Sequence, residues 1–168
     1  QIESGVRIGK LLSKILPEKW NVVGLSGSLN DTIGGMISGN THGKDSWKFG
    51  NFGNNVESLK LLLVNGKIIE INKTSDSEFF NGVISGLGFL GIILEAKLKL
   101  TKIPSYMVNI QSSQISNFND LLEKFYSFDK SDTNFSYAVL DPFATNSSMG
   151  RGILESAKYL KTDLNAEN

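Results

Sequence analysis

The chain has 168 residues, with 17 basic and 17 acidic side chains, a formal net charge of zero, one histidine and no cysteine. This length predicts one domain or one and a half, with enough chain to bury a sizeable core. A neutral chain without runs of like charge is not attracted to nucleic acid or to an anionic membrane surface. The absence of cysteine excludes disulfides and thiolate metal ligands, and a single histidine argues against zinc. We therefore expect no metal, no nucleic-acid partner and no transmembrane segment.

The front of the chain is predicted to form a short helix and a brief strand. Apolar residues recur at helical spacing over residues 6–16, which predicts an amphipathic helix that ends before Pro17. Residues 20–23 predict a buried strand. Because the sequence starts at Gln1 and not at a methionine, we expect a fragment of a longer protein.

The stretch from Thr32 to Lys44 is dense in glycine and small polar residues, and the only histidine, His42, lies near its end. Such a run indicates either backbone angles that only glycine tolerates or a close approach of the backbone to a ligand. Small polar neighbours add N–H and hydroxyl donors that suit phosphate or another anion. A loop that merely turns is an equally good interpretation. Residues 34–38 are predicted to form one helical turn whose N-terminal amides point outward and favour anions.

The next residues are predicted to form a loop and then a β-hairpin. The loop at residues 46–55 carries aromatic residues beside glycines, which we interpret as the hydrophobic underside of the loop rather than as walls of a ligand site. Asn65-Gly66 between two β-rich runs is the strongest short hairpin signal. The nearly continuous apolar run Leu59–Val64 predicts a strand covered on both faces.

A second glycine motif follows a predicted helix capped by Ser75 or Asp76. Residues 86–91, Gly-Leu-Gly-Phe-Leu-Gly, match G-x-G-x-x-G. A Rossmann fingerprint needs a strand before this motif, a helix after it and an acidic residue about 20 positions further on. Here the helix precedes, a strand at residues 92–100 follows, and no acidic residue lies near Gln111. We therefore reject a Rossmann site and predict a tight helix-to-strand turn.

The chain changes character after Pro104, where we predict a second, incomplete domain. The expected domains are 1–104 and 105–168. The elements predicted for the second are strands at 106–111 and 135–140, a helix at 115–128 whose aromatic stripe forms core, a helix from Gly152 to about Leu160, and a frayed polar tail from Lys161.

The residues offer little catalytic chemistry of their own. Residues 24–28 nearly match the nucleophile elbow of hydrolases, but the last glycine is replaced and no acidic partner is marked for His42. A hydrolase using Ser26 and His42 is therefore a weak alternative, and His42 is more often a structural histidine than a catalyst. Gly43-Lys44 lacks the context of a Walker motif, and no carboxylate pair stands out. A bound cofactor that carries the chemistry would explain this pattern.

The ordered motifs resemble the FAD-binding PCMH-type domain of the vanillyl-alcohol-oxidase family, in its branch of decaprenylphosphoryl-ribose and D-arabinono-1,4-lactone oxidases. The motifs that carry the resemblance are Thr32-Ile33-Gly34-Gly35, Thr41-His42-Gly43-Lys44, Gly50-Asn51-Phe52-Gly53-Asn54-Asn55-Val56, Val64-Asn65-Gly66-Lys67, Gly86 to Ile93, Phe135 to Asp141 and Gly150-Arg151-Gly152. The chain departs from the family where Ser26 replaces a usual proline, Asp45 a common asparagine, Asn55 a frequent histidine and Ser85 a frequent glycine.

The resemblance implies an α+β fold: the second part of an FAD-binding PCMH-type domain, followed by the start of an α+β substrate domain. It implies hydride transfer from a CH–OH group of a sugar, sugar alcohol or sugar lactone to flavin, which an electron acceptor reoxidises. Lys44 would face the substrate, and no catalytic residue is assigned. We expect a cytoplasmic or membrane-peripheral location, and the alternative function is a non-catalytic module for a nucleotide or anion. The residues implied to contact FAD are Gly27, Thr32, Ile33, Gly34, Gly35, Gly39, Asn40, Thr41, His42, Gly43, Gly88, Gly91 and Ile93.

Overall fold

The computed structural model describes residues 1–127 and 131–162, and the chain divides into two units, residues 1–103 and residues 104–168. Both units mix helices with antiparallel strands, which is the α+β class. In these described ranges, no helix combines the length and the apolar character that crossing a bilayer requires.

Unit 1 is built on a four-stranded antiparallel sheet with three helices that contribute to its core. The sheet order is β1-β5-β3-β4, and a separate pair joins β2 to β6. The strands are β1 (Ile2–Glu3), β2 (Trp20–Asn21), β3 (Val56–Leu62), β4 (Ile68–Asn72), β5 (Ile92–Leu98) and β6 (Thr101–Lys102). The helices are α1 (Ile8–Ile15), α2 (Ile33–Ser38), α3 (Ser46–Phe49) and α4 (Ser77–Val83), with a 3-10 turn at Phe52–Asn55.

Helices α1 and α2 bury apolar side chains in one core with the sheet. Helix α1 confirms the helical spacing of the sequence, because Ile8 and Leu12 fall on one face and are buried. Helix α2 buries Ile33, Met36 and Ile37 completely. The glycine stretch is therefore anchored to the core by three apolar side chains, so it is more than a surface loop.

The predicted hairpin is present, but its burial differs from the expectation. Hydrogen bonds from Gly66 N to Leu63 O and from Leu63 N to Lys67 O, both 2.9 Å, close the turn, and Gly66 has a φ of 79°. Leu61 is fully buried, whereas Val64 is fully exposed at the strand end. The prediction of a strand covered on both faces was therefore wrong, because the core covers only one side of β3.

The predicted loop at residues 46–55 contains the short helix α3 and the 3-10 turn. Phe52 is fully buried in the core, which confirms the interpretation of this aromatic residue as the hydrophobic underside. Two glycines allow the chain to fold this tightly. Gly50 has a φ of 81°, and a Cβ on Gly53 would lie 2.6 Å from the Ile84 side chain.

Unit 2 contains a three-stranded antiparallel sheet of order β7-β9-β8 and one helix. Its elements are β7 (Val108–Ile115), α5 (Phe118–Ser127), β8 (Phe135–Leu140) and β9 (Gly152–Tyr159). The prediction of a helix after Gly152 was wrong, because β9 is the central strand and pairs on both sides. The core stripe predicted for α5 was also wrong, because none of its residues is buried. The predicted helix end at Phe128 and most of the polar tail (163–168) lie outside the described residues.

Candidate functional site

The N-terminus of α2 does not present free amides to a ligand. Ile33 N donates to Val6 O at 2.9 Å, and Gly34 N donates to Ser4 O at 2.8 Å. Gly35 N donates to the Thr32 hydroxyl oxygen at 3.1 Å, which makes Thr32 the N-cap. The expectation that these amides point outward to an anion was therefore wrong. The N–H groups of Ile33, Gly34 and Gly35 are therefore occupied, and Gly35 is the exposed residue of this turn.

The C-terminus of α2 is closed by a Schellman motif that fixes the start of the next segment. Asn40 adopts a left-handed φ of 41°, its N–H donates to Ile37 O at 3.0 Å, and Thr41 N donates to Met36 O at 3.0 Å. The Asn40 side-chain oxygen also accepts from Gly53 N at 3.0 Å. These bonds account for Asn40 structurally and carry the chain into residues 41–45.

Residues 24–28 and 41–45 lie directly against each other. A Cβ on Gly43 would stand 2.3 Å from Leu25 O, so this contact requires glycine. Gly24 N lies 3.2 Å from each carboxylate oxygen of Asp45, and Gly24 O accepts from the Thr41 hydroxyl at 3.2 Å. Asp45 is only 5% exposed. Burial raises the pKa of the Asp45 carboxyl, and the Gly24 N–H opposes this rise.

The Ser26 hydroxyl is committed to a neighbouring acid and not to the histidine. Its oxygen lies 2.5 Å from Asp31 Oδ2. Among the described residues, no hydrogen bond joins Ser26 to His42, which is exposed. The arrangement that a serine hydrolase needs is therefore not formed.

The second glycine cluster is attached to the far end of α2. Ser85 N donates to Ile37 O at 3.1 Å, and Leu87 N donates to Ser38 O at 3.0 Å. Ser85 and Leu87 both adopt left-handed φ values, 72° and 50°. Helix α2 therefore brings the two glycine-rich segments of unit 1 together, as one candidate site requires.

The sequence-predicted residues of this second cluster differ in what they can offer. Gly88 has a φ of 81° and open space around its Cβ position. Gly91 has a φ of 148°, and its Cβ would lie 3.0 Å from Leu62 O. Ile93 is buried opposite Leu61 in the sheet. Its side chain is therefore not available to a ligand.

Gly27 fits a closely approaching ligand, because nothing in the protein itself requires glycine there. Its φ is not left-handed, no atom lies within 4 Å of its Cβ position, and the residue is exposed. Neither Gly27 N nor His42 N donates a hydrogen bond to any other described residue. These two amides therefore lie on adjoining segments with free donor capacity, next to exposed Lys44. A dinucleotide cofactor that contacts backbone fits this surface.

Sequence reasoning missed the residues that hold the two segments together. Asp45 occupies the position before α3, where an aspartate usually caps the helix, but its side chain makes no cap hydrogen bond. Asn55 accepts from Val23 N at 3.0 Å and donates to Val23 O at 2.8 Å. The partners of Asp45 and Asn55, Gly24 and Val23, are distant from them in sequence. The only sequence signal at Asp45 and Asn55 was therefore that both depart from the family pattern.

Comparison with known proteins identifies the class. Residues 1–72 match the family described as FAD binding domain. The chain is 30% identical over 165 residues to decaprenylphosphoryl-beta-D-ribose oxidase of Mycolicibacterium smegmatis, which covers 96% of this chain and 35% of that protein. It is 33% identical over 125 residues to D-arabinono-1,4-lactone oxidase of Candida glabrata, covering 73% of this chain and 23% of that protein.

The site and these matches define a flavin-binding protein. The first 72 residues match the FAD binding domain family, and the chain is similar to PCMH-type FAD-dependent oxidases, so these findings support FAD as the cofactor. The chain spans about a third of the length of its M. smegmatis relative, 35%. No group of three or more His, Asp or Glu residues that could hold a metal ion occurs in the described ranges.

Proposed function

We propose that the whole protein is an FAD-dependent oxidoreductase that oxidises a CH–OH group of a sugar, sugar alcohol or sugar lactone. The names of two relatives support this class of substrate, since one is a decaprenylphosphoryl-ribose oxidase and the other an arabinonolactone oxidase. The observation that carries the proposal is Gly27, an exposed glycine that neither its backbone angles nor its protein neighbours require.

The proposed FAD site combines both glycine-rich segments of unit 1. Gly27 and His42 would donate their backbone amides, and Ile93 would contribute only its backbone. The remaining proposed contacts are Thr32, Ile33, Gly34, Gly35, Gly39, Asn40, Thr41, Gly43, Gly88 and Gly91. Gly43 also sets the spacing of the two segments, because any side chain there would collide with Leu25 O.

When bound, FAD supplies the electron-accepting ring for the oxidation. The chain's own part is to bind and orient the cofactor and to present Lys44 to the substrate. The Lys44 ammonium is exposed and adjoins the segment of His42 and Gly43, so it would donate hydrogen bonds to substrate hydroxyl groups. We assign no catalytic residue to this chain.

The domain assignment follows the same proposal. Residues 1–104 would form the second part of the FAD-binding domain, and residues 105–168 would begin the substrate domain. An external electron acceptor would complete the cycle, and the protein would act in the cytoplasm or at the membrane periphery.

The proposal is tested on the protein expressed from its complete reading frame. We expect a yellow protein whose flavin absorbance is lost on anaerobic addition of a sugar alcohol or sugar lactone. Colour that stays in the pellet after acid precipitation would indicate covalent flavin, and released colour would indicate non-covalent FAD. A folded, colourless protein that takes up no added FAD would overturn the proposal and leave the non-catalytic binding module.

A matched pair of variants tests the Gly27 contact. Gly5, like Gly27, is exposed, lacks a left-handed φ and has no atom within 4 Å of its Cβ position. We expect Gly27→Val to raise the dissociation constant of FAD at least tenfold while Gly5→Val changes it less than twofold. Equal effects of the two substitutions would contradict a direct contact at Gly27.

A further inference from the structure

The two segments that form the front of the candidate site are joined at one residue, Gly24. Its N–H lies 3.2 Å from both carboxylate oxygens of Asp45, and its carbonyl accepts from the Thr41 hydroxyl at 3.2 Å. Both backbone polar groups of this buried glycine are therefore held by side chains of the facing segment.

Side chains carry this junction because the two backbones do not bond to each other. No backbone–backbone hydrogen bond joins residues 24–28 to residues 41–45 in the described part of the chain. Gly24 has a φ of 69°, and its Cβ would lie 2.3 Å from Phe52 N. The facing segment also approaches closely, because a Cβ on Gly43 would lie 2.3 Å from Leu25 O. The register between the two segments therefore depends on the two side chains that reach Gly24.

The side chain of Asp45 holds Gly24, and within the described part of the chain the structure shows no other role for it in an ion pair or a helix cap. It is 5% exposed, and in the described ranges no ion pair includes it. Burying a carboxylate without a cation is costly unless hydrogen bonds compensate. The hydrogen bonds that its carboxylate accepts from another residue all come from Gly24 N. A helix cap would explain an aspartate before α3, but no such cap bond exists.

We propose that Asp45 is a positioning residue for the FAD site, because its carboxylate sets the segment of His42 and Lys44 against the segment of Gly27. The inference rests on the proposed function. Asp45 itself need not contact the cofactor. Without the acceptor oxygens of Asp45, the segments of Gly27 and His42 would shift relative to each other. Their two free amides would then no longer be positioned to bind the same ligand.

The test uses the full-length protein, prepared free of FAD and titrated with FAD by fluorescence quenching. Asp45→Leu keeps the side-chain shape and removes both acceptors, Asp45→Ala removes the side chain, and Asp45→Asn keeps one acceptor. Val83→Ala, in the core at α4, controls for a general loss of stability. The visible circular dichroism of bound flavin is recorded for each variant, since it reports the surroundings of the ring and not the stability of the fold.

We expect Asp45→Leu and Asp45→Ala to weaken FAD binding at least tenfold and to change the flavin dichroism. Asp45→Asn should stay within threefold of the parent protein and keep its spectrum, and Val83→Ala should change neither. The inference is overturned if Asp45→Leu binds FAD within twofold of the parent. It is also overturned if both acceptor-free variants fail to fold while Asp45→Asn folds, because the carboxylate would then stabilise the fold in general. A parent protein that takes up no FAD would refute the proposed function instead.

Discussion

Asn55 offers the sharpest test of how the candidate site is held in place. Its side chain is almost fully buried and closes three hydrogen bonds. It accepts from Val23 N at 3.0 Å and donates to Val23 O and to Phe52 O, both at 2.8 Å. Asn55→Ala would remove all three bonds at once and leave Val23, the residue before Gly24, without its support.

The expected loss follows from the number of bonds. An intramolecular hydrogen bond contributes about 1 kcal/mol net, so three bonds give a loss of about 3 kcal/mol in the free energy of unfolding. For a unit of this size, that loss lowers the melting temperature by about 12 to 24 °C. The neighbouring Asn54 is exposed, and its amide makes one bond, to Phe49 O at 3.2 Å. Asn54→Ala should therefore cost no more than about 0.5 kcal/mol.

The assay is urea unfolding of the 168-residue chain, followed by tryptophan fluorescence. Trp20 and Trp47 are the chain's 2 tryptophans, and both lie in unit 1, so the signal reports this unit. A loss below about 1 kcal/mol for Asn55→Ala, or equal losses for the two variants, would refute the reasoning. Water would then satisfy Val23 and Phe52 as well as Asn55 does.

Two further predictions concern a matched pair of glycines, Gly88 and Gly66, and the pH dependence of the Asp120 carboxylate. Gly88 and Gly66 have φ values of 81° and 79° and open space at Cβ, so alanine should cost each about 1 kcal/mol of strain. Only Gly88→Ala should also weaken FAD binding in a titration, and an equal effect of Gly66→Ala would exclude the contact. Asp120 accepts from Ser116 N near the start of α5, and this bond and Lys124 lower its pKa from 3.8 to about 2. Because the folded-state pKa lies below the unfolded value, Asp120 stabilises unit 2 above pH 3.8 and loses this effect as the pH falls to about 2. Asp120→Asn should therefore lower the melting temperature at pH 7 and make no difference below about pH 2, and a difference independent of pH would contradict it.

Local sequence signals predicted the elements whose bonds are local. Helix α1 follows from apolar spacing, and the hairpin follows from Asn65-Gly66, because the contacts that decide both lie within a few residues. The strand β9 was missed for the opposite reason. Residues 152–159 include leucine, glutamate, alanine and lysine, which favour helices, but pairing with β7 and β8 satisfies the backbone on both sides and buries Leu154.

The FAD contacts stay predictions, and the geometry that joins the two glycine-rich segments could not be predicted from the sequence. The motif order marked both glycine-rich segments, and helix α2 does join them. The free amides, however, are not those of the α2 N-terminus, because Ser4 and Val6 return from the start of the chain to pair with Ile33 and Gly34. A pairing between such distant residues leaves no trace in the pattern of the glycine stretch.

The glycines of one motif therefore differ in what a loss of binding would mean. Gly43 is required by the protein itself, since any side chain there would strike Leu25 O at 2.3 Å. A substitution at Gly43 would separate the two segments and abolish FAD binding even if Gly43 never touches the cofactor. At Gly27, by contrast, no atom of the described residues lies within 4 Å of the Cβ position, so the fold does not require glycine there. Reduced binding with an intact fold is thus evidence of contact at Gly27, whereas at Gly43 the same result reports only the packing of the loops.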